Sequence, residues 1–321
     1  MSVTLVRSDD GWYVLRGEAA VPVEGELPTT AALLTDGLAA VRAAAASDAE
    51  GVPVAGLRLR SPVTAPCRIV AQAVNYPAHA QDSGAGADPP PVFFRKSSAS
   101  LGGPVDDIVR PAHVRLLDYE IELGLVIGRH LAPGTTVTPA DLPSYVAGAV
   151  VANDVSARDV QLEQGQFYEG KSYPGFTPAG PHLVLLDPDD FPQLDRLRLR
   201  LWVNDQIRQD GWAAEMITRP AAALTLLARF QPLDPGDLLL TGTPGGTALQ
   251  APSGLVERAG GVLPAALKWR VFFGREERNP NYLADGDVIT ASITTPDGVL
   301  DLGTQRTVVR YARPEGDEPV D

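Results

Sequence analysis

Cysteine occurs once in this 321-residue chain, and histidine only four times. Each scarcity removes a class of chemistry. A lone Cys67 cannot close an internal disulfide, and it excludes zinc or iron–sulfur sites that need several thiolates. Its neighbours, Pro66-Cys67-Arg68-Ile69-Val70, lead into an apolar strand, so it reads as a buried structural thiol. Positive charge is also short. Lys plus Arg total 27 against 40 Asp plus Glu, a formal net charge of −13. That is the wrong sign for gripping a polyanion over a broad surface, so no nucleic-acid partner is expected. A small anion can still bind in one cationic pocket. No run reaches the ~18 apolar residues of a membrane span. The start, Met1-Ser2-Val3-Thr4, lacks the basic and apolar stretches of a signal peptide. The expectation is a soluble cytoplasmic protein with no membrane contact.

What the chain does hold is core material and punctuation. Hydrophobic residues make up 44%, while 31 Gly and 29 Pro favour short strands and loops over a helical bundle. Val3–Val6 and Trp12–Arg16 read as a hairpin around Asp9-Asp10-Gly11. Thr30–Ala46 reads as one long helix capped by Thr29 or Thr30. Strands are expected at Arg68–Val74, Tyr119–Ile127, Val146–Ala152, Leu197–Val203, Leu238–Thr241 and Val288–Ile293, with a short helix at Ala221–Phe230 after Pro220. The fold class is therefore mixed and mainly β, with a small N-terminal α+β domain at 1–65 and a larger one at 66–321. A stretch at about 246–283 is long for a connection and carries Trp269, Phe272 and Phe273, either a cap over a pocket or plain packing.

The chemistry sits at strand ends. In a strand, Glu120 and Glu122 share a face about 6–7 Å apart and repel unless a cation lies between them. They are either a solvated face or part of a metal site. Asp154 follows the apolar strand Val146–Ala152, where a carboxylate is costly unless paired or metal-bound. Two Glu and one Asp form an oxygen-only set suited to Mg²⁺, Mn²⁺ or Ca²⁺ over Zn²⁺. Asp159 is a competing acid. The chain holds only three lysines, Lys96, Lys171 and Lys268, against 24 arginines. A retained lysine hints that a compact ammonium is needed, although an ordinary surface charge fits each one equally. His79 and Asp82 would be an i, i+3 pair in a helical turn, either a general base with its orienting acid or a surface helix start. Thr241-Gly242-Thr243-Pro244-Gly245-Gly246 lets backbone and hydroxyls approach an oxyanion, and Asn75, Arg158 and Gln161 add polar candidates.

Together these segments resemble the fumarylacetoacetate hydrolase family. Its hallmarks stand here as Asn75-Tyr76-x-x-His79, Pro91-Val92-Phe93-Phe94-x-Lys96, Asp118-Tyr119-Glu120-x-Glu122-Leu123, Asn153-Asp154-Val155-Ser156-Ala157-Arg158-Asp159-x-Gln161 and Gly170-Lys171-Ser172. Val203-Asn204-x-x-x-Arg208-Gln209-Asp210-Gly211, Leu240-Thr241-Gly242-Thr243-Pro244 and Leu283-Ala284-Asp285-Gly286-Asp287-Val288 follow in family order. The resemblance implies a twisted β-roll with short helices, and a homodimer. It implies Glu120, Glu122 and Asp154 as ligands of Mg²⁺, Mn²⁺ or Ca²⁺. It implies a catalytic set of His79, Lys171 and Asp82, the last standing where many members carry a partnering Glu. Arg158, Gln161 and Thr243 match substrate contacts, and Asn75 and Lys96 join that set. The implied reaction is metal-dependent hydrolysis of a C–C bond in a 2,4-dioxo acid, such as an acylpyruvate, through an enolate. The alternative is an isomerase, decarboxylase or hydratase acting on a related 2-oxo dicarboxylic acid.

Overall fold

The strand Ile121–Ile127 is buried over its whole length because it lies inside the largest sheet and is covered on both faces. The computed structural model describes residues 2–86, 89–250 and 265–312, with side chains omitted for 265–268. On one face Ile121, Leu123, Leu125 and Ile127 pack against Leu199, Leu201, Ile289, Ala291 and Ile293 of the second sheet. On the other face Val126 joins Ile69, Ala71, Val150, Leu238 and Leu240. Truncating one of these leucines to alanine costs about 2–5 kcal/mol.

The large sheet runs in the order Val52–Pro53, Ala19–Pro22, Gly11–Arg16, Val3–Ser8, Leu183–Leu185, Val146–Asn153, Ile121–Ile127, Leu238–Leu240, Ile69–Ala73, Val92–Lys96. The second sheet runs Gln206–Trp212, Arg198–Val203, Val288–Thr294, Asp301–Tyr311, Ile108–Arg110. Most pairs are antiparallel; Leu238–Leu240 lies parallel to Ile69–Ala73. Arg198–Val203 buries Leu199, Leu201 and Val203 and turns the alternate residues outward, as its Leu/Arg alternation requires. The mixed, mainly β class with short helices is the observed one.

The boundary expected at 65 does not interrupt the sheet. Val3, Thr4 and Leu5 pair with Leu185, Val184 and Leu183, and Leu5, Trp12, Val14, Leu33 and Val41 share one apolar core with Ile69, Val126 and Val150. An N-terminal hairpin alone has too little apolar surface to stand unsupported, and here it extends the main sheet. The single helix expected over Thr30–Ala46 is two, Thr30–Thr35 and Leu38–Ala46. Leu27 packs across the break, so a Cβ at Gly37 would lie 2.7 Å from its Cδ1 and 2.9 Å from the Leu33 carbonyl oxygen. Of the stretch 246–283, residues 251–264 lie outside the described residues, and a helix spans Ala265–Glu276. Phe273 is buried there, stacked with Trp269 and lying beneath the Arg115 guanidinium, while Trp269 itself is exposed.

Candidate active site

Four elements of the large sheet end at one edge. The strands Val146–Asn153, Leu238–Leu240 and Ile69–Ala73 finish where the antiparallel Ile121–Ile127 begins, with Ile121 opposite Asn153 and Glu122 opposite Ala152. The chain just before Ile121 is not strand, yet Glu120 is held as firmly as if it were. Its N–H donates to Asn153 Oδ1 at 2.9 Å, and its carbonyl accepts the Asp154 N–H at 2.8 Å. Asn75 fixes a third corner. Its amide donates to the Thr241 carbonyl at 2.7 Å and accepts the Thr218 N–H at 2.7 Å. Val74 enters this corner at φ 51°, a conformation costing a β-branched residue about 1–3 kcal/mol. Gly242, at φ +87°, turns its N–H onto Glu122 Oε2 at 2.7 Å, and a Cβ there would lie 2.7 Å from that of Asn75.

Glu120, Glu122 and Asp154 thereby come together, buried, with one carboxylate oxygen from each within 4.8 Å of the others. Lys171 Nζ bridges Glu120 Oε2 at 2.8 Å and Asp154 Oδ2 at 2.7 Å. Arg158 Nη2 meets Glu120 Oε1 at 2.5 Å, and its Nε meets Asp118 Oδ2 at 2.8 Å. Burial opposes the charge on Glu120, but Lys171 and Arg158 overcome it and hold this carboxyl well below the usual range. Glu122 goes the other way. Burial, then the neighbouring Asp154 and Glu120, push it well above the ordinary glutamate value.

The donor set fits a hard divalent cation. Asp118, Glu120, Glu122 and Asp154 outnumber the buried cations Lys96, Lys171 and Arg158 by one charge. Among the described residues Glu122 is the one acid of the four with no cationic partner; its carboxylate receives only the Gly242 N–H. A buried carboxylate so placed beside two others calls for a cation, and three oxygen donors suit Mg²⁺ or Mn²⁺.

The remaining expected residues divide. His79, on the short helix Pro77–Asp82, is buried with Nδ1 unpartnered, and burial lowers its proton affinity. Asp82 is not hydrogen-bonded to it. Its Oδ2 accepts the Gly246 N–H at 3.0 Å instead. Lys96 points away from solvent, onto Asp154 and the Phe176 carbonyl. Gln161 accepts from Arg158 Nη1 at 3.1 Å. The Thr243 hydroxyl donates to the Ile121 carbonyl and accepts from Gln209 Nε2, each at 2.8 Å. Asp159 stands apart from the cluster, taking the N–H groups of Arg115 and Leu116.

The profile described as fumarylacetoacetate (FAA) hydrolase C-terminal matches residues 68–310. The chain belongs to the fumarylacetoacetate hydrolase family. Within it, the chain is 35% identical over 213 residues to the mitochondrial oxaloacetate tautomerase of Rattus norvegicus, a match over 66% of each chain. It is 34% identical over 269 residues to the 2,4-didehydro-3-deoxy-L-rhamnonate hydrolase of a Sphingomonas species, covering 84% of this chain and 79% of that one. Among solved structures, the 5-carboxymethyl-2-hydroxymuconate delta-isomerase of Mycobacterium smegmatis is 27% identical with a TM-score of 0.67, covering 98% of this chain and 100% of that one. The chain thus spans about two thirds of the length of the rat tautomerase. In this family member the residue that sequence reasoning left out of the site is Asp118. Its signal was available, as an acid two positions before Glu120 in the same motif.

Proposed function

We propose that this chain is a keto–enol isomerase of a 2-oxo dicarboxylic acid, in preference to a C–C hydrolase. The observation that carries this reading is the separation of His79 from Asp82. Hydrolysis needs a base strong enough to activate water, normally an imidazole backed by a carboxylate. Here the Asp82 carboxylate serves the Gly246 N–H, and His79 Nδ1 stands alone. Isomerisation asks less, because the enol O–H loses one proton and the adjacent carbon gains one, with no water consumed. A buried, neutral imidazole suffices for that transfer, and burial keeps His79 neutral. Lys171 uses two of its three N–H donors on Glu120 and Asp154, leaving the third for negative charge developing on the substrate oxygen. A divalent cation held by Glu120, Glu122 and Asp154 supplies, when bound, a Lewis acid for the oxygens of a 2-oxo acid. The names of the rat tautomerase and the mycobacterial isomerase support this reading.

Hydrolysis is the second reading, supported by the Sphingomonas relative that aligns over 84% of the chain. One assay separates the two. With Mg²⁺, the protein is expected to speed the loss of enol absorbance from freshly dissolved oxaloacetate without releasing pyruvate. It is expected to leave acetylpyruvate uncleaved. Formation of pyruvate plus acetate from acetylpyruvate, at a rate matching or exceeding the tautomerisation, overturns the isomerase assignment.

A further inference from the structure

Asp118 lies outside the three-carboxylate set, yet every acceptor position on it is filled. Its Oδ1 accepts the N–H groups of Tyr119 at 2.8 Å and Ala248 at 2.9 Å. Its Oδ2 accepts Arg158 Nε at 2.8 Å and the Leu249 N–H at 3.1 Å. Four donors use the roughly four lone-pair sites of a carboxylate, so this fully buried anion has nothing left for a cation or a substrate. Its partners show what it does instead. Arg158 spends Nε on Asp118, Nη2 on Glu120 and Nη1 on Gln161, and a planar fork held at three corners cannot rotate. Ala248 and Leu249 lie just beyond the glycine-rich turn that carries Gly242 and Thr243, and the Ala248 carbonyl accepts Asn279 Nδ2 at 2.9 Å.

We propose that Asp118 is a positioning residue. It locks the Arg158 guanidinium against Glu120 and pins the chain at Ala248–Leu249 to the same point, so that the two are set as one unit. Neutral asparagine cannot replace it. One of the two oxygens would become an NH₂ facing two N–H donors, which breaks either the Arg158 and Leu249 pair of contacts or the Tyr119 and Ala248 pair.

The role rests on the isomerase reading where turnover is measured, and is independent of it where binding is measured. The test compares wild type, D118N, R158K and the double variant by oxaloacetate tautomerisation and by Mn²⁺ titration followed by electron paramagnetic resonance. D118N and R158K are each expected to lose about 10–100-fold in kcat and in Mn²⁺ affinity, the usual cost of removing a residue that holds a ligand in place. KM is expected to stay within about threefold, and the double variant to be little worse than the weaker single one, since both act on one contact. Losses that multiply in the double variant, or wild-type kcat and Mn²⁺ affinity in folded D118N, overturn the proposal. Should D118N fail to fold, R158K decides, because it keeps the charge but cannot span Asp118 and Glu120; wild-type behaviour there is equally fatal. If wild type proves inactive on 2-oxo acids while Mn²⁺ binding follows the expected pattern, the functional reading fails and the positioning role stands.

Discussion

The Lys96 ammonium lies 2.5 Å from Asp154 Oδ1, and neither side chain reaches solvent. A second bond, to the Phe176 carbonyl at 2.7 Å, fixes the ammonium from the far side. A lysine spent in this way orients Asp154 and is poorly placed to receive a substrate. Replacing it by methionine leaves a buried carboxylate short of a partner, which costs about 3–5 kcal/mol. Denaturant unfolding of K96M is expected to show that loss. An unchanged unfolding midpoint combined with a raised KM would instead return Lys96 to substrate binding.

Removing the His79 imidazole is expected to cut tautomerisation by about 10²–10⁴-fold, the span of a general base. Mn²⁺ binding by H79A should be unaffected, because the imidazole is not among the three clustered carboxylates. D82N retains an oxygen for the Gly246 N–H and is expected to stay within about threefold of wild type. Steady-state kinetics on both variants checks this. Equal losses in H79A and D82N would mean that the two residues act as a pair during turnover.

Chelation is expected to abolish activity, with recovery on adding Mg²⁺ or Mn²⁺. E122Q sharpens this test. Glu122 is buried beside two carboxylates with no cationic partner, so in chelator its neutral amide should melt no lower than wild type. Added Mn²⁺ should then raise the melting temperature of wild type and leave that of E122Q nearly unmoved. A clear loss of stability for E122Q in chelator alone would count against a cation at this site.

Cys67 is only partly buried, yet that burial, with a smaller push from Asp237, raises its thiol to about 12. The thiolate is the reactive form, and at neutral pH such a group holds almost none. Native protein is expected to be inert to thiol reagents near neutrality and to react once denatured. Rapid labelling of the folded chain, followed by mass spectrometry, would contradict this.

Much of the site was legible because its side chains stand at the ends of strands that composition and periodicity reveal. The apolar run Val146–Ala152 announced a buried strand, and an acid directly after it is expensive enough to need a partner, which singled out Asp154. Glu120 and Glu122 were paired by a period-two argument. Glu122 lies within the strand, whereas Glu120 sits just before it and reaches the cluster because Asn153 and Asp154 hold its backbone. A helix capped by Thr29 was readable, but its break at Gly37 was not, since that depends on where Leu27 packs.

The chain's residue types and local spacing were enough for the class of fold, for three of the four acids that converge, and for the oxygen-only character of the donor set. Only the tertiary structure decided which polar group spends its hydrogen bonds on which. Lys96 turns inward to Asp154, Asp82 to the Gly246 N–H, Thr243 to the Ile121 carbonyl, and Asp118 to Arg158 and the chain at Ala248–Leu249. Hydrogen bonds between residues up to 164 positions apart depend on how strands pair across the sheet, and no local pattern in the chain encodes that choice.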